Sequence, residues 1–249
     1  RRIALTQAGR LFLIEARAVL ARAAAAEGAI ADLAGLKRGA LALAASQTVG
    51  NYWLPPLMAR FRAAYPGVTL SLTIGNTETV AAMVQDGAAD LGFVEGGVDG
   101  APLDVTVVAE DELLLVAPPG TKIAKKPLRA DDVKAMRWVV RERGSGTRAI
   151  LETALAALGL ALSDLDVALE LPSNEAVQSA VEAGAGATAL SHLVVQDAIA
   201  AGALTALNFK FPKRQFSALR HKDRTPSQAE RALLALIDGA APVARRSRR

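Results

Sequence analysis

The segment Arg141-Glu-Arg-Gly-Ser-Gly-Thr-Arg148 lies between a mostly apolar run, 136–140, and a helical pattern, 147–158. A Ser/Thr pair flanked by glycine, at the point where a strand turns into a helix, leaves backbone N–H groups facing open space. These groups and the helix dipole together form a site suited to an anion. The alternative is that Ser145 and Thr147 only cap the helix.

The first half of the chain contains a matching element. Its apolar run, 41–45, ends in Ser46-Gln-Thr-Val-Gly50, and a helical pattern follows. Because two similar halves each carry a strand-to-helix turn of this kind, we expect a ligand to be held in a cleft between two lobes.

The composition limits the class of protein. A chain of 249 residues, 51% of them hydrophobic, can form one large domain or two small ones with a sizeable core. The absence of cysteine excludes disulfides, thiolate nucleophiles and cysteine-based metal sites, and it fits a reducing cytoplasm. No apolar run reaches the ~18 residues needed to span a bilayer, so we expect no membrane segment.

The positive charge is concentrated at the end of the sequence. Four of the 29 basic residues fall within 245–249, and the other 25 balance the 25 acidic residues. We therefore assign the net charge of +4 to a basic disordered tail, 239–249, rather than to a basic face of the folded protein.

Hydrophobic periodicity divides the rest of the chain into three parts. Residues 6–36 form one long helical pattern with apolar residues at steps of three and four, which is typical of a helix–helix seam. The alternative is a helix packed on its own domain. A β-α-β-α-β pattern then begins near residue 38 and is repeated in the second half, which predicts two parallel sheets with right-handed crossovers.

The individual elements can be located from the same periodicity. The predicted strands are 41–45, 68–74, 90–94, 105–116, 138–141, 167–171, 187–190, 205–211 and 215–219. The predicted helices run up to residue 65 after the first strand and then over 78–86, 147–158, 174–183, 192–201 and 226–238. Extended connections near 113–116 and 211–219 predict that two strands cross between the lobes.

Five short motifs, in order, resemble the LysR-type transcriptional regulators over nearly the whole chain. The resemblance rests on Arg2-Ile-Ala-Leu-Thr-Gln-Ala-Gly9, Leu54-Pro with Phe61-Arg and Tyr65-Pro-Gly-Val68, Gly87-Ala-Ala-Asp-Leu-Gly-Phe-Val-Glu95, Asp111-Glu-Leu-Leu-Leu-Val116 and Glu182-Ala-Gly-Ala-Gly186. It implies an α/β fold with two Rossmann-like lobes joined by two crossing strands, like the type 2 periplasmic binding proteins, after a long linker helix. The implied parts are 1–36 for the end of a winged helix-turn-helix and the linker, 38–112 and 215–238 for the first lobe, and 113–214 for the second.

The glycine-rich segment refines this resemblance. Together with Gly75-Asn-Thr-Glu78 and Val94-Glu-Gly96, it is similar to the branch of the family tied to sulfur and carbon-assimilation genes, although Arg143 stands where that branch often has proline. The resemblance implies a cytoplasmic homodimer or homotetramer that binds promoter DNA through a winged helix-turn-helix. Most of that module, including the recognition helix, would lie upstream of Arg1, so we expect no sequence-specific DNA binding by this chain alone.

The resemblance also implies an effector site between the lobes. We expect a small anion there, with sulfate, sulfite or a small carboxylate as candidates. Arg141 or Arg148 would add positive charge, although Arg148 could instead face solvent. Glu95 would repel an ionised ligand and is expected to accept a hydrogen bond from it or to orient a neighbour. The implied ligand-binding residues are Ser46, Gln47, Thr48, Asn76, Thr77, Glu95, Arg141, Ser145, Gly146, Thr147, Ser173 and Asn174.

Other functions find less support in the sequence. The run 184–189 imitates a dinucleotide-binding fingerprint, but it follows a helix and precedes a strand, the reverse of the required order. His192 and His221 have no partner at metal-ligand spacing, and no nucleophile, acid and base set is visible. We therefore expect no catalytic residues, metal or cofactor. The main alternative is a solute-binding protein of a transporter, which would not need the helix at 6–36, and an enzyme ranks third.

Overall fold

The computed structural model describes residues 5–9, 11–13, 15–16, 19, 36, 38–98, 102–122 and 126–240. Positions 7–9, 11–13, 15–16 and 19 are helical, as predicted for the linker, and its other positions between 10 and 35 lie outside the described residues. Residues 241–249 of the predicted tail also lie outside them, whereas 239 and 240 belong to the last helix. In this described part, no helix is both long enough and apolar enough to cross a membrane.

Strands and helices alternate along most of the described chain. The strands are β1 (Gly39–Ser46), β2 (Val68–Gly75), β3 (Leu91–Glu95), β4 (Leu103–Asp111), β5 (Leu113–Ala117), β6 (Arg137–Arg141), β7 (Asp166–Leu171), β8 (Thr188–Ser191), β9 (Thr205–Ala206) and β10 (Arg214–His221). The helices are α1 (Leu54–Ala64), α2 (Thr77–Gln85), α3 (Ala130–Ala135), α4 (Gly146–Ala157), α5 (Asn174–Glu182), α6 (His192–Ala200) and α7 (Gln228–Ala240).

Lobe I is built on a five-stranded sheet in the order β2-β1-β3-β10-β4. The first three of these strands are parallel, and β10 runs antiparallel to both β3 and β4. Helices α1 and α7 cover one face, where Phe61, Phe93, Phe216 and Leu233 form a buried core. Helix α2 covers the other face through Val80 and Val84.

Lobe II repeats this arrangement. Its hydrogen-bonded pairs are β8-β5-β9 and β6-β7, and Trp138 of β6 bridges Ala187, the residue just before β8. The Val139 N–H donates to the Ala187 carbonyl (2.9 Å), and the Ala187 N–H donates to the Arg137 carbonyl (2.7 Å). The resulting order, β7-β6-β8-β5-β9, corresponds strand for strand to that of lobe I. The predicted two-lobed α/β fold is therefore confirmed.

Three sequence predictions differ from the structure where the chain passes between lobes. The predicted continuous β run 105–116 is interrupted at Glu112, because β4 belongs to the first sheet and β5 to the second. Of the predicted strand 205–211, only Thr205–Ala206 pairs, since Phe209 and Phe211 turn into the apolar core of lobe II. Arg214, predicted as the last residue of the second lobe, begins β10 of the first sheet.

The helix after β1 begins at Gln47 with no intervening loop. It passes through a π-helical turn, Val49–Trp53, before α1. Pro55 and Pro56 lack the N–H groups that an α-helix would donate to the carbonyls of residues 51 and 52, so these two α-helical bonds are absent. The Leu54 N–H donates to the Val49 carbonyl instead. An irregular helix start thus lies directly at the end of the central strand β1.

Candidate functional site

The two lobes meet where strands end and helices begin. In lobe I, β1 ends at Ser46 and a helix starts at Gln47; in lobe II, β6 ends at Arg141 and α4 starts at Gly146. The N–H groups in the first turn of each helix lack an intrahelical acceptor, and each start carries partial positive charge. Both lobes therefore bring hydrogen-bond donors to the junction.

Most of the predicted ligand-binding residues belong to one buried polar network at this junction. Seven of the predicted side chains are buried and are linked, directly or through a neighbour, by hydrogen bonds and one ion pair: Ser46, Thr48, Thr77, Glu95, Arg141, Thr147 and Asn174. No buried side-chain nitrogen or oxygen among the described residues lacks a hydrogen-bond partner. The network is therefore internally satisfied.

Glu95 is the centre of this network on the lobe I side. It is the last residue of β3 and only 1% exposed. The hydroxyl of Ser46 donates to one carboxylate oxygen, Oε2, and that of Thr48 donates to the other, Oε1, at 3.4 Å. The hydroxyl of Thr77 donates to the Glu95 backbone carbonyl at 2.9 Å. Three hydroxyls of lobe I thus converge on one residue.

Arg214 joins the two lobes and was not among the predicted site residues. Its guanidinium is fully buried: Nε and Nη2 donate to Oδ2 of Asp111, with Nε at 2.8 Å, and Nη1 donates to the Thr147 hydroxyl at 3.0 Å. Nη1 also lies 3.9 Å from Oε1 of Glu95. The buried charge of Arg214 is therefore shared between a carboxylate of β4, a carboxylate of β3 and the start of α4.

Arg141 supplies the second buried cation, on the lobe II side. Its Nη1 donates to the side-chain oxygen of Asn174, while Nε and Nη2 donate to the Glu142 carboxylate at 2.7 and 2.9 Å. The Asn174 amide in turn donates to the Thr48 hydroxyl at 3.1 Å. A continuous chain of hydrogen bonds therefore runs from Arg141 through Asn174 and Thr48 to Glu95.

Three of the predicted residues act as helix caps. Ser145 accepts from the Arg148 N–H at the start of α4, Asn76 accepts from the Thr79 N–H at α2, and Ser173 accepts from the Ala176 N–H at α5. Such caps satisfy N–H groups in the first turn of a helix. The capping interpretation thus describes Ser145, but it does not describe Thr147, whose hydroxyl accepts from Arg214.

Arg148 does not face solvent, contrary to one of the sequence-based possibilities. Its side chain is 9% exposed and donates to Glu152 (2.8 Å), to Glu170 (2.7 Å) and to the Arg141 carbonyl (3.2 Å). Burial lowers the pKa of Arg148, but the hydrogen bonds and charges of Glu152 and Glu170 outweigh it and raise that pKa above its usual value. The charge of Arg148 is thus engaged within lobe II.

The lobes also touch along two rims of the junction. On one rim, Gln47 donates to the Pro172 carbonyl (2.7 Å) and accepts from the Asn174 N–H (2.9 Å), and the Tyr52 hydroxyl donates to Glu175 (3.2 Å). On the other rim, the Asn76 amide donates to Glu142 (3.2 Å) and to the Arg143 carbonyl (3.3 Å), and the Glu78 N–H donates to the Gly144 carbonyl (3.2 Å). These bonds hold the lobes closed on each other.

Gly146 allows the backbones of the two lobes to approach each other closely. A Cβ atom added to Gly146 would lie 2.0 Å from the Glu95 carbonyl oxygen and 2.7 Å from the Thr77 hydroxyl. Only glycine fits at this point, since any side chain would push α4 away from the end of β3. An open groove of about 740 Å³ adjoins this contact, between α2 and α4, and is lined by Thr77, Glu78, Gly97, Arg143 and Gly146 among others.

The described residues contain no group of three or more His, Asp or Glu side chains that could hold a metal ion.

The sequence signal for the ion pair between Arg214 and Asp111 was weak. Each lies at the end of a strand beside other charged residues, and only the pairing of β10 with β4 brings the two opposite each other.

The comparison with known families agrees with this geometry. Residues 34–241 match the family described as LysR substrate binding domain. The chain belongs to the LysR-type transcriptional regulators and contains their effector-binding region. This family consists of transcriptional regulators, not transport receptors or enzymes, so the solute-binding-protein alternative is wrong.

Transcriptional regulators are found among the relatives in both sequence and structure. The HTH-type transcriptional regulator YeiE of Escherichia coli K12 is 34% identical over 242 residues, which cover 96% of this chain and 80% of YeiE. The regulator CysL of Bacillus subtilis is 38% identical over 160 residues, 64% of this chain and 52% of CysL. The CcmR regulatory domain of Synechocystis PCC6803, solved in complex with 2-PG, is 27% identical with a TM-score of 0.73 and covers 82% of this chain and 100% of that domain.

Proposed function

We propose that this chain senses a small anion that binds between the two lobes, at the buried network around Thr48, Thr147 and Arg214. One observation carries the proposal: hydroxyls from the helix starts of both lobes lie in one buried network with a buried arginine. A ligand at this point would contact residues of lobe I, residues of lobe II and Arg214 at the start of β10. It would therefore favour one arrangement of the lobes over another.

The donors of the network suit an oxyanion. First-turn N–H groups at Gly146 and Thr147, the hydroxyls of Ser46, Thr48 and Thr147, and the Nη1 edge of Arg214 would all donate to ligand oxygens. Gln47, Asn76, Thr77, Ser173 and Asn174 would position these donors or line the rim, and Arg141 would act through Asn174.

The candidate effectors are sulfate, sulfite and small carboxylates, since each presents oxygens of suitable size for a site made of hydroxyls and helix starts. The complex of CcmR with 2-PG adds 2-PG to the compounds that should be tested.

Transmission to DNA requires parts beyond the lobes. We propose a homodimer or homotetramer, associated through the segment 6–36 and the helix edges of lobe I, that carries a winged helix-turn-helix onto promoter DNA in the cytoplasm. Family membership supports this arrangement, because a change in lobe orientation at a ligand site can reach DNA only through such a linked assembly.

Calorimetry on wild type, Thr48→Val and Thr147→Val tests the site. Valine keeps the volume of threonine but removes the hydroxyl, so each variant should lose ~1.5–3 kcal/mol of binding to an anion, about a 10- to 150-fold weaker affinity. The ligands are sulfate, sulfite, acetate and 2-PG.

Thr153→Val is the matched control, because Thr153 is an exposed residue of the same helix as Thr147 and donates only to the Ala149 carbonyl. Its affinity should equal that of wild type. If Thr48→Val and Thr147→Val bind a confirmed anion as tightly as wild type does, the anion binds elsewhere and the proposed site is wrong.

A further inference from the structure

Glu95 engages every hydroxyl that lobe I contributes to the proposed site. Ser46 and Thr48 donate to its carboxylate, and Thr77 donates to its backbone carbonyl. A hydroxyl has only one hydrogen to donate. While Ser46 and Thr48 are bonded to Glu95, neither can donate to an incoming anion.

The guanidinium donors of Arg214 are also occupied by groups of the protein. Asp111 takes the Nε and Nη2 edge of Arg214, and Nη1 is left facing the Thr147 hydroxyl and the Glu95 carboxylate, 3.9 Å away. An anion that approached Nη1 would meet Glu95 within a few ångströms. Two negative groups in one buried site repel strongly, because little water screens them.

From these contacts we propose that the Glu95 carboxylate is a built-in substitute for the effector. In the effector-free protein it occupies the place of the anion, holds the donors of Ser46 and Thr48 and balances the charge of Arg214. An effector binds by displacing it. This inference rests on the proposed function, since it concerns the same site between the lobes.

A different role for Glu95 would be to accept a hydrogen bond from the ligand. A carboxylate has about four acceptor positions, so its acceptor capacity would allow this. The hydroxyl hydrogens of Ser46 and Thr48 are the limiting groups, and both already donate to Glu95. A ligand that needs these donors must therefore remove Glu95 from them, whatever else it binds.

Displacement of Glu95 would also reach the contact between the lobes. Its backbone carbonyl accepts from Thr77 and lies against Gly146 at the first turn of α4. Gly96, which follows, has a φ of +86° and faces Gly146 as well. A change in the position of Glu95 is thus transmitted to the start of α4, which belongs to the other lobe.

Calorimetry with sulfate and sulfite on Glu95→Gln tests this inference. Glutamine has the size of glutamate but no charge, so the competing anion is removed. Both ions should bind about tenfold more tightly, or more, than they bind to wild type. If binding to wild type is too weak to measure, a saturable isotherm with Glu95→Gln is the expected result.

Glu110→Gln is the control for net charge, because it removes the same charge from an exposed residue whose one ion pair within the described part of the chain is with Lys213. It should leave the affinity unchanged. Glu95→Asp provides a second variant if Glu95→Gln does not fold: its shorter side chain keeps the charge but reaches Ser46 and Thr48 less well, so anion affinity should again rise, by a smaller factor.

The inference is overturned if Glu95→Gln, or Glu95→Asp in its place, binds these anions with unchanged or lower affinity while Thr48→Val still weakens binding. That result would leave the proposed site intact and remove only the role of Glu95. If neither wild type nor a Glu95 variant binds either ion or 2-PG, the proposed function fails as well.

Discussion

The two lobes share a strand order but end their strands in different chemical groups. In lobe I, the first and third strands of the parallel pattern, β1 and β3, end in Ser46 and Glu95. In lobe II, the corresponding strands, β6 and β8, end in Arg141 and Ser191. One lobe thus contributes a hydroxyl and a negative charge to the junction, and the other contributes a positive charge and a hydroxyl.

The ends of the equivalent strands β8 and β3 act differently on Arg214. In lobe II, the Ser191 hydroxyl donates to Asp111 (2.8 Å) and caps α6, so it supports the carboxylate that holds Arg214. In lobe I, the equivalent strand end is itself a carboxylate that faces Arg214. At the proposed site, Arg214 at the start of β10 would therefore attract an anion, and Glu95 at the end of β3 would compete with it.

Replacement of Arg214, which contacts residues of both lobes, should have the largest effect on the free energy of unfolding. Arg214→Met leaves Asp111 and Glu95 buried without their cation, and breaking a buried ion pair on one side costs ~3–5 kcal/mol. The free energy of unfolding measured with urea should fall by that amount. Lys213→Ala, which removes an exposed pair beside it, should change stability by less than ~1 kcal/mol. A similar small change for Arg214→Met would show that the lobes do not depend on this ion pair.

A smaller effect on stability is expected from separating the lobes where Gly146 meets the Glu95 carbonyl. Gly146→Ala places a methyl group 2.0 Å from the Glu95 carbonyl oxygen, so α4 must move and stability should fall by ~1–3 kcal/mol. The radius of gyration from small-angle X-ray scattering should increase at the same time. Gly39→Ala is the control, because nothing lies within 4 Å of the added atom. An unchanged radius with Gly146→Ala would mean that the lobes tolerate the methyl group without opening.

The smallest predicted effect concerns the rim on which Tyr52 of lobe I donates to Glu175 of lobe II. Burial and the charge of Glu175 raise the pKa of Tyr52 from 10.0 to about 12. Since the raised pKa favours the neutral phenol in the folded protein, the stabilising contribution is complete below pH 10 and is lost as the pH rises toward 12.

Absorbance at the tyrosinate band, compared between wild type and Tyr52→Phe, isolates this titration because the sequence has only two tyrosines. The phenylalanine variant should lack the loss of stability above pH 10. A Tyr52 that titrates at its ordinary pKa would contradict the bond across the rim.

Periodicity was enough to predict most elements within each lobe, because most helices and inner strands bury a regular apolar face; β7, in contrast, is largely exposed, and only two residues of 205–211 form a strand. The predicted helix 147–158 is observed as Gly146–Ala157, and the predicted strand 68–74 as Val68–Gly75. The break at Glu112 was missed because the mostly apolar runs 105–109 and 113–116 were read as one strand across the charged residues between them, and the pattern does not show that the two runs enter different sheets.

The residues of the buried polar network at the junction were predicted less completely than the fold. Residues next to strand-to-helix turns, such as Ser46 and Thr147, could be recognised because turn chemistry is local. Arg214 could not, since its role depends on pairing with a residue 103 positions earlier in the chain. Nor could local sequence show that the Glu95 carboxylate accepts from Ser46, which lies 49 positions away.

A crystal structure of this chain with the tightest-binding of sulfate, sulfite and 2-PG tests the central claim most directly. We expect the anion to accept hydrogen bonds from Ser46, Thr48 and Arg214, and we expect the Glu95 carboxylate to have left both hydroxyls. An anion bound in the groove between α2 and α4, with Glu95 still bonded to Ser46 and Thr48, would contradict the account.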